Sequence, residues 1–403
     1  MTGGRRRGRV ERATVATVVV AVLTLVACSS GGGSSTATRS SQPATTSPPP
    51  PATTASSTTT SSTAAVTGGP VPRGFVPASV TFVSPSTGWV LGNAPCGAPP
   101  CTSLVRTGDG GKTWIGIPAP RVEMQPNEGV RAVRFADLRN GWAFGPELWT
   151  THDGGTHWAR TTLPGFPSDA AVFDLQAANG VARAAIVDQA TGQIRLMTTG
   201  VGTDEWKPST TSVPLGAGPV PHGQLVLHGA SGWMVEVDRV VVGGARLRAG
   251  DWVLWAPPCK DAGGPMTVAA ASATDLVAVC DEGIWTGPPE VSRSYFSTDG
   301  GTTFTVAGGA LPPGCCPDVA SASAGTAVVG ARAADGSAVL LATADRGASW
   351  STVYRGAKDY AWDDLGFTTE SQGVAVSRSS DGKAAVLLMT FDGGRVWTAV
   401  TFA

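Results

Sequence analysis

Few side chains in this 403-residue sequence could carry chemistry: four histidines, seven cysteines, three tyrosines and scattered carboxylates. His152 and His157 lie five residues apart with Asp153 between them. A zinc site takes three or four protein ligands, and the local sequence offers no others, so both read as exposed turn histidines. His222 and His228 are no more specific. No Gly-x-Ser-x-Gly elbow is present to present a nucleophilic serine. Glycoside hydrolysis needs two carboxylates facing one another. The adjacent pairs Asp281-Glu282 and Asp363-Asp364 read more simply as solvated loop residues. No catalytic residue, metal or cofactor is therefore assigned.

Leaving Cys28 aside, six cysteines remain, an even number that suits disulfides in an exported chain. Cys96 and Cys101 could close a small loop. Adjacent cysteines bond to each other only through a strained eight-membered ring. Cys315 and Cys316 are therefore expected to pair with Cys259 and Cys280.

The elements that would position these residues come from one repeat. Thr107-Gly-Asp109-Gly-Gly-Lys-Thr-Trp114 recurs at Asp153 to Trp158, Asp299 to Phe304, Asp345 to Trp350 and Asp392 to Trp397. The aspartates are 44, 146, 46 and 47 residues apart, and the long gap holds two decayed copies, near Trp206 and Trp252. A second marker, a short apolar strand before Gly-Trp or its equivalent, recurs at Gly88-Trp89, Gly141-Trp142, Gly180, Gly232-Trp233, Asp275, Gly325 and Gly373. Both markers count seven units averaging near 47 residues. That is the period of a four-stranded propeller blade. An all-β fold follows: one propeller of seven four-stranded antiparallel blades, with six or eight as the alternatives. Ring closure is left open by the sequence, since the last unit is complete at its own end and Val71 to Val76 could add an edge strand.

The motif resembles the Asp-box, or BNR, repeat of sialidase-like propellers. In such a turn the Asp carboxylate accepts backbone N–H bonds, Gly supplies positive φ, and the aromatic packs between sheets. The fuller unit, best seen over residues 133 to 158, resembles the photosystem II stability/assembly factor branch of these propellers. The resemblance covers about residues 77 to 403, and blades three and four depart from it. It implies a fold and a general role, an extracytoplasmic scaffold that holds a partner. A catalytic sialidase would need three arginines on the substrate carboxylate, a Tyr–Glu nucleophile pair and an Arg-Ile-Pro type motif. Pro72-Arg73-Gly74-Phe75-Val76-Pro77 does not match that motif.

Ahead of the repeats, five arginines between Arg5 and Arg12 precede an uncharged apolar run, Thr14 to Ala27. That run is short for a membrane span and reads as a signal peptide over residues 1–27. Leu25-Val26-Ala27-Cys28 resembles a bacterial lipobox, which implies lipidation at Cys28 and anchoring at the outer leaflet of the cell membrane. Residues 28–70 are Ser/Thr/Pro-rich and cannot bury a core, so they read as a disordered tether. The propeller is placed at 71–403.

Charged residues make up 15% of the chain, and its net charge is −1. Discounting the basic leader leaves an acidic balance that argues against a nucleic-acid partner. Two functions remain. The first is a membrane-anchored, non-catalytic, monomeric propeller that binds a protein or peptide during assembly outside the cytoplasm. The second is a carbohydrate-binding or degenerate glycosidase propeller acting on envelope glycans. Arg131 and Arg134, with Arg239, Arg246 and Arg248, are either a positive patch for an acidic tail or ordinary surface arginines. Trp89, Trp142 and Trp233 hold repeat positions and are assigned to the core. Trp255, Trp285 and Trp362 fall outside the pattern and are the candidate exposed contacts.

Overall fold

Short apolar strands separated by Gly-rich turns leave no segment with helical periodicity, and among the described residues there is no helix. The computed structural model describes residues 68–402, apart from 126–127, 168–169, 218–221, 239, 261–263, 283–290 and 312–313. Side chains are likewise not described for His222, Glu282, Val291 and residues 314–317. The leader, Cys28 and most of the tether lie outside this set, as does Trp285.

Seven four-stranded antiparallel sheets follow one another as blades 76–117, 132–160, 171–214, 222–255, 266–306, 314–358 and 360–399. The fold is a seven-bladed β-propeller. In each blade the first strand is innermost, and successive inner strands touch around the ring, blade 7 meeting blade 1. These strands are Val76–Phe82, Ala132–Phe135, Ala171–Ala178, His222–His228, Met266–Ala270, Gly314–Ala320 and Tyr360–Phe367.

The apolar clusters lie between blades rather than within one sheet. Trp89 of blade 1, fully buried, stacks on Phe135 of blade 2 with centroids 3.8 Å apart. The Asp-box turns share one geometry. The Thr107 hydroxyl donates to Asp109 Oδ1 at 2.9 Å and accepts the Gly111 N–H at 2.9 Å, while Asp109 Oδ1 also accepts the Thr113 N–H at 2.9 Å. The same three bonds recur at Asp153, Asp299, Asp345 and Asp392. Hydrogen bonds, first from Thr303 and from Ser349, hold the Asp299 and Asp345 carboxyls down to about 2. The motif is thus a folding device.

Blade 7 takes all four strands from its own segment, so the ring closes without an exchanged strand. The leading segment instead reaches the outer edge of blade 1, where Gly69 and Gly116 exchange two backbone bonds of 2.9 Å. Val76 already belongs to the inner strand. Phe402, just beyond the last strand, packs against Phe75 and Trp114 at 5.0 and 5.4 Å. Apolar contact therefore closes the rim, while the waist of the ring is closed by polar side chains.

Candidate functional site: the central channel

Each inner strand reaches a position where one side chain can meet the backbone of the next blade. The occupants are Ser79, Ala132, Asp174, Gln224, Thr267, Asp318 and Asp364, each followed by a buried aliphatic residue. Four of these residues take the N–H of the following blade. Asp364 Oδ2 accepts from Val80 at 3.0 Å, and Ser79 Oγ from Val133 at 3.2 Å. Asp174 Oδ2 accepts from Leu225 at 2.7 Å, and Gln224 Oε1 from Val268 at 2.8 Å. Ala132 has nothing to offer, and the Leu175 N–H turns to Asp174 of its own strand at 2.7 Å.

Arg134, two residues after Ala132, reaches the other way, to blades 1 and 7. Its Nη1 and Nη2 lie 3.2 and 3.4 Å from the two Asp364 oxygens, and Nη1 also donates to Ser79 Oγ at 3.2 Å. The Ser79 hydroxyl donates to Asp364 Oδ2 at 3.0 Å. Blades 7, 1 and 2 are thus tied at one carboxylate. Burial depresses the Arg134 guanidinium, but Asp364 and Asp174 outweigh it and the net shift is upward. Burial raises Asp174, opposed by Arg134. Burial, then the charge of Asp364, pushes Asp318 up to about 7. The waist therefore holds three acids against one arginine.

Arg131 stands just before the inner strand of blade 2, exposed; its N–H donates to the Phe144 carbonyl at 2.7 Å, while its guanidinium makes no hydrogen bond or ion pair with the described residues. Burial and then Arg378 lower its guanidinium, while Asp174 raises it. Arg378 itself binds Asp363 Oδ2 at 2.5 Å.

The structure redraws several expectations. Asp363 and Asp364 are not solvated loop residues; they lie on the inner strand of blade 7 because a register irregularity between Trp362 and Asp364 turns both toward charged partners. Asp281 is buried in a strand and accepts the Ser292 hydroxyl at 2.6 Å. Arg134 is not a free surface arginine. Trp255 is buried and donates to the Gly301 carbonyl at 2.7 Å, and Trp362 packs between blades 6 and 7, donating to the Ala331 carbonyl at 3.2 Å. Neither offers an exposed ring, because each indole N–H is consumed by a neighbouring blade. Arg246 reaches Thr302 of blade 5 at 3.0 Å.

Cys96 pairs with Cys101 as expected, whereas Cys259 pairs with Cys280 rather than with Cys315 or Cys316. Chain folding brings the loop cysteine onto the second strand of blade 5, across 21 residues. The Cys315 and Cys316 side chains lie outside the described set. His152 joins Asn140 at 2.8 Å and Asp204 at 2.9 Å, and His157 meets Asp153 at 2.6 Å. No cluster of three metal-ligating side chains occurs among the described residues. Arg134 and Asp364 stood out in the sequence, but not as partners, because the belt is non-local; one usable signal was the polar residue preceding six of the seven inner-strand apolar runs.

No model of a known protein family matches the sequence, and no curated protein sequence matches it. Solved structures do. A structure described as YCF48 bound to D1 peptide aligns with TM-score 0.52 and 18% identity, covering 80% of this chain and 95% of that one. This chain folds like YCF48. YCF48 from Cyanidioschyzon merolae aligns with TM-score 0.51 and 15% identity, over 82% and 99% of the two chains. A puromycin-hydrolyzing peptidase of Mycobacterium tuberculosis aligns with TM-score 0.54 and 12% identity, over 83% of this chain and 56% of the peptidase. At such identities the likeness is one of fold.

Proposed function

We propose that this chain is a lipid-anchored extracytoplasmic propeller that holds a protein or peptide partner at the mouth of its channel, without catalysing a reaction. The observation that carries the reading is the contrast between two arginines. Arg134 is consumed in closing the ring, while the Arg131 guanidinium stays unpaired and exposed beside the Arg378–Asp363 pair. A preformed guanidinium suits a carboxylate or acidic segment. The YCF48 structure with a bound D1 peptide supports a peptide as the class of ligand. Crosslinking and pull-down from the native membrane is the test. Arg131→Glu is expected to reduce captured partner at least tenfold; capture equal to wild type overturns the reading.

Anchoring has its own test. Cys28→Ser is expected to move the protein from the membrane fraction to the soluble extracytoplasmic fraction and to abolish incorporation of an alkyne-tagged fatty acid. Continued labelling would place the lipid elsewhere.

A second reading, a glycosidase-like propeller, is favoured by one observation. Asp318, pushed up to about 7 by burial and then by the charge of Asp364, is a raised acid with a second carboxylate near it, as a general acid requires. Turnover of fluorogenic glycosides that is lost in both Asp318→Asn and Asp364→Asn would establish it against the scaffold.

A further inference from the structure

The Asp-box turn of blade 7 departs from its four sisters at two positions. The residue before the aromatic is Thr113, His157, Thr303 or Ser349 in the sister turns, and each side chain reaches Oδ2 of its aspartate at 2.6 to 2.7 Å. Blade 7 has Val396 there. Asp392 Oδ1 accepts from the Thr390 hydroxyl and the Arg395 and Val396 N–H groups, but Oδ2 accepts nothing among the described residues. The residue before the aspartate is Gly108, His152, Thr298 or Ala344 in the sisters and Phe391 here.

Phe391 and Val396 are 61% and 62% exposed. Large apolar side chains exposed singly are ordinary. Two in one turn, one of them displacing a bond that every sister makes, are not. This turn has given up a hydrogen bond and presents apolar surface to water.

The place of the turn says what covers it. The strand leading into it, Ala385–Thr390, packs Met389 in one cluster with Trp114, the aromatic of the blade 1 turn. Two residues beyond Trp114, Gly116 holds Gly69 by two backbone bonds. The leading segment therefore joins the propeller at the seam of blades 7 and 1, on the side of Phe391. Forty residues lie between Cys28 and Gly69. A Ser/Thr/Pro-rich length of that kind spans roughly 35 Å r.m.s., so a lipid on Cys28 keeps this rim of the ring beside the bilayer.

We propose that Phe391 and Val396 enter the interfacial layer of the membrane, so that the ring rests on the rim formed by blades 7 and 1. Two side chains fall far short of the roughly 800 Å² per partner of a stable protein interface. A lipid surface, by contrast, accepts any apolar shape. Exposed cations on this rim, Arg395 and Lys112, are outnumbered by Asp109, Glu370 and Asp392, so the contact is apolar and needs no anionic lipid. Alone it is weak, but an anchor makes it intramolecular, at an effective concentration of about 1 mM. The inference rests on the reading that the chain is membrane-anchored.

The test takes the chain as exported, residues 29–403, led by hexahistidine and held on phosphatidylcholine vesicles by a nickel-chelating lipid. p-Benzoylphenylalanine replaces Phe391 or, as a control, Leu254, which is 68% exposed on the outer strand of blade 4. Irradiation is expected to yield at least tenfold more phospholipid adduct, read by mass spectrometry, from position 391. Val396→Thr restores the sister hydroxyl, so it should fold, and it should cut the adduct at 391 about threefold. Equal yields from the two positions, a yield unmoved by Val396→Thr, or adducts with a second copy of the chain in place of lipid overturn the proposal. The nickel lipid replaces the native anchor, so this result stands or falls apart from acylation of Cys28 and from capture through Arg131.

Discussion

Asp364→Ala should lower Tm by about 6 °C, a larger loss than a surface carboxylate would cause. The substitution removes the acceptor for the Ser79 hydroxyl, the Val80 N–H and both ends of the Arg134 guanidinium. It leaves Arg134, whose side chain is only 21% exposed, with Ser79 and two backbone carbonyls for partners. Stripping one member from a buried ion pair costs about 3–5 kcal/mol. The partial exposure here argues for about 3 kcal/mol, and a chain of this size loses roughly 2 °C per kcal/mol. Differential scanning calorimetry on Asp364→Ala, Arg134→Ala and the double variant checks the mechanism. Because both side chains serve one junction, the double variant should lose scarcely more than Asp364→Ala. Additive losses would mean that the two residues act independently and that the junction is not what closes the ring.

How far the sequence reached follows from the range of the interactions involved. The Asp-box turns span six residues, so Asp109, Asp153, Asp299, Asp345 and Asp392 declared themselves with their aromatic partners. The spacing of turns and Gly-Trp steps then set the number of blades, because one blade is one period. Belt residues lack such a local signature: Asp364 meets Ser79 across 285 positions and Arg134 across 230. A one-residue irregularity in the inner strand of blade 7 decides which acid faces the channel. Trp255 and Trp362 looked exceptional only because the repeat was taken from the Gly-Trp step. Their N–H groups reach carbonyls in the next or preceding blade, a choice that backbone curvature makes. Cysteine pairing was unreadable for the same reason, since Cys259 and Cys280 meet only once blade 4 has packed on blade 5.

The pH dependence of stability should expose the acids that the fold has buried. Glu236 is fully buried in blade 4, and its neighbours across the sheet are Gly223 and Gly243, which bring no side chain to it. One oxygen accepts the Gly216 N–H at 3.4 Å, and the other has no partner among the described residues. Burial, then the nearby charge of Asp238, pushes its carboxyl from 4.5 up to about 7. Asp318 in the channel moves the same way. A raised acid stays protonated in the native state after the unfolded chain has ionised. The native state then binds more protons, and stability falls as pH rises from about 4.5 to about 7, levelling off above that. For Glu236 alone the loss amounts to about 3 kcal/mol. The Asp-box carboxyls work in the opposite sense. Asp299 and Asp345, held at about 2, contribute above the ordinary carboxylate range and lose that contribution as pH falls toward 2. Maximal stability is therefore expected near pH 4 to 5, below the range of about pH 5 to 8 usual for folded proteins. Urea unfolding at pH 5 and pH 8 measures the slope. Glu236→Gln should remove most of the Glu236 share and be the more stable protein at pH 8, while Asp318→Asn should remove a separate, additive share because the two sites lie in different blades. A slope unchanged by Glu236→Gln would mean that water or the blade 3–4 connection already solvates this carboxylate, and that the niche is not the apolar one its glycine neighbours imply.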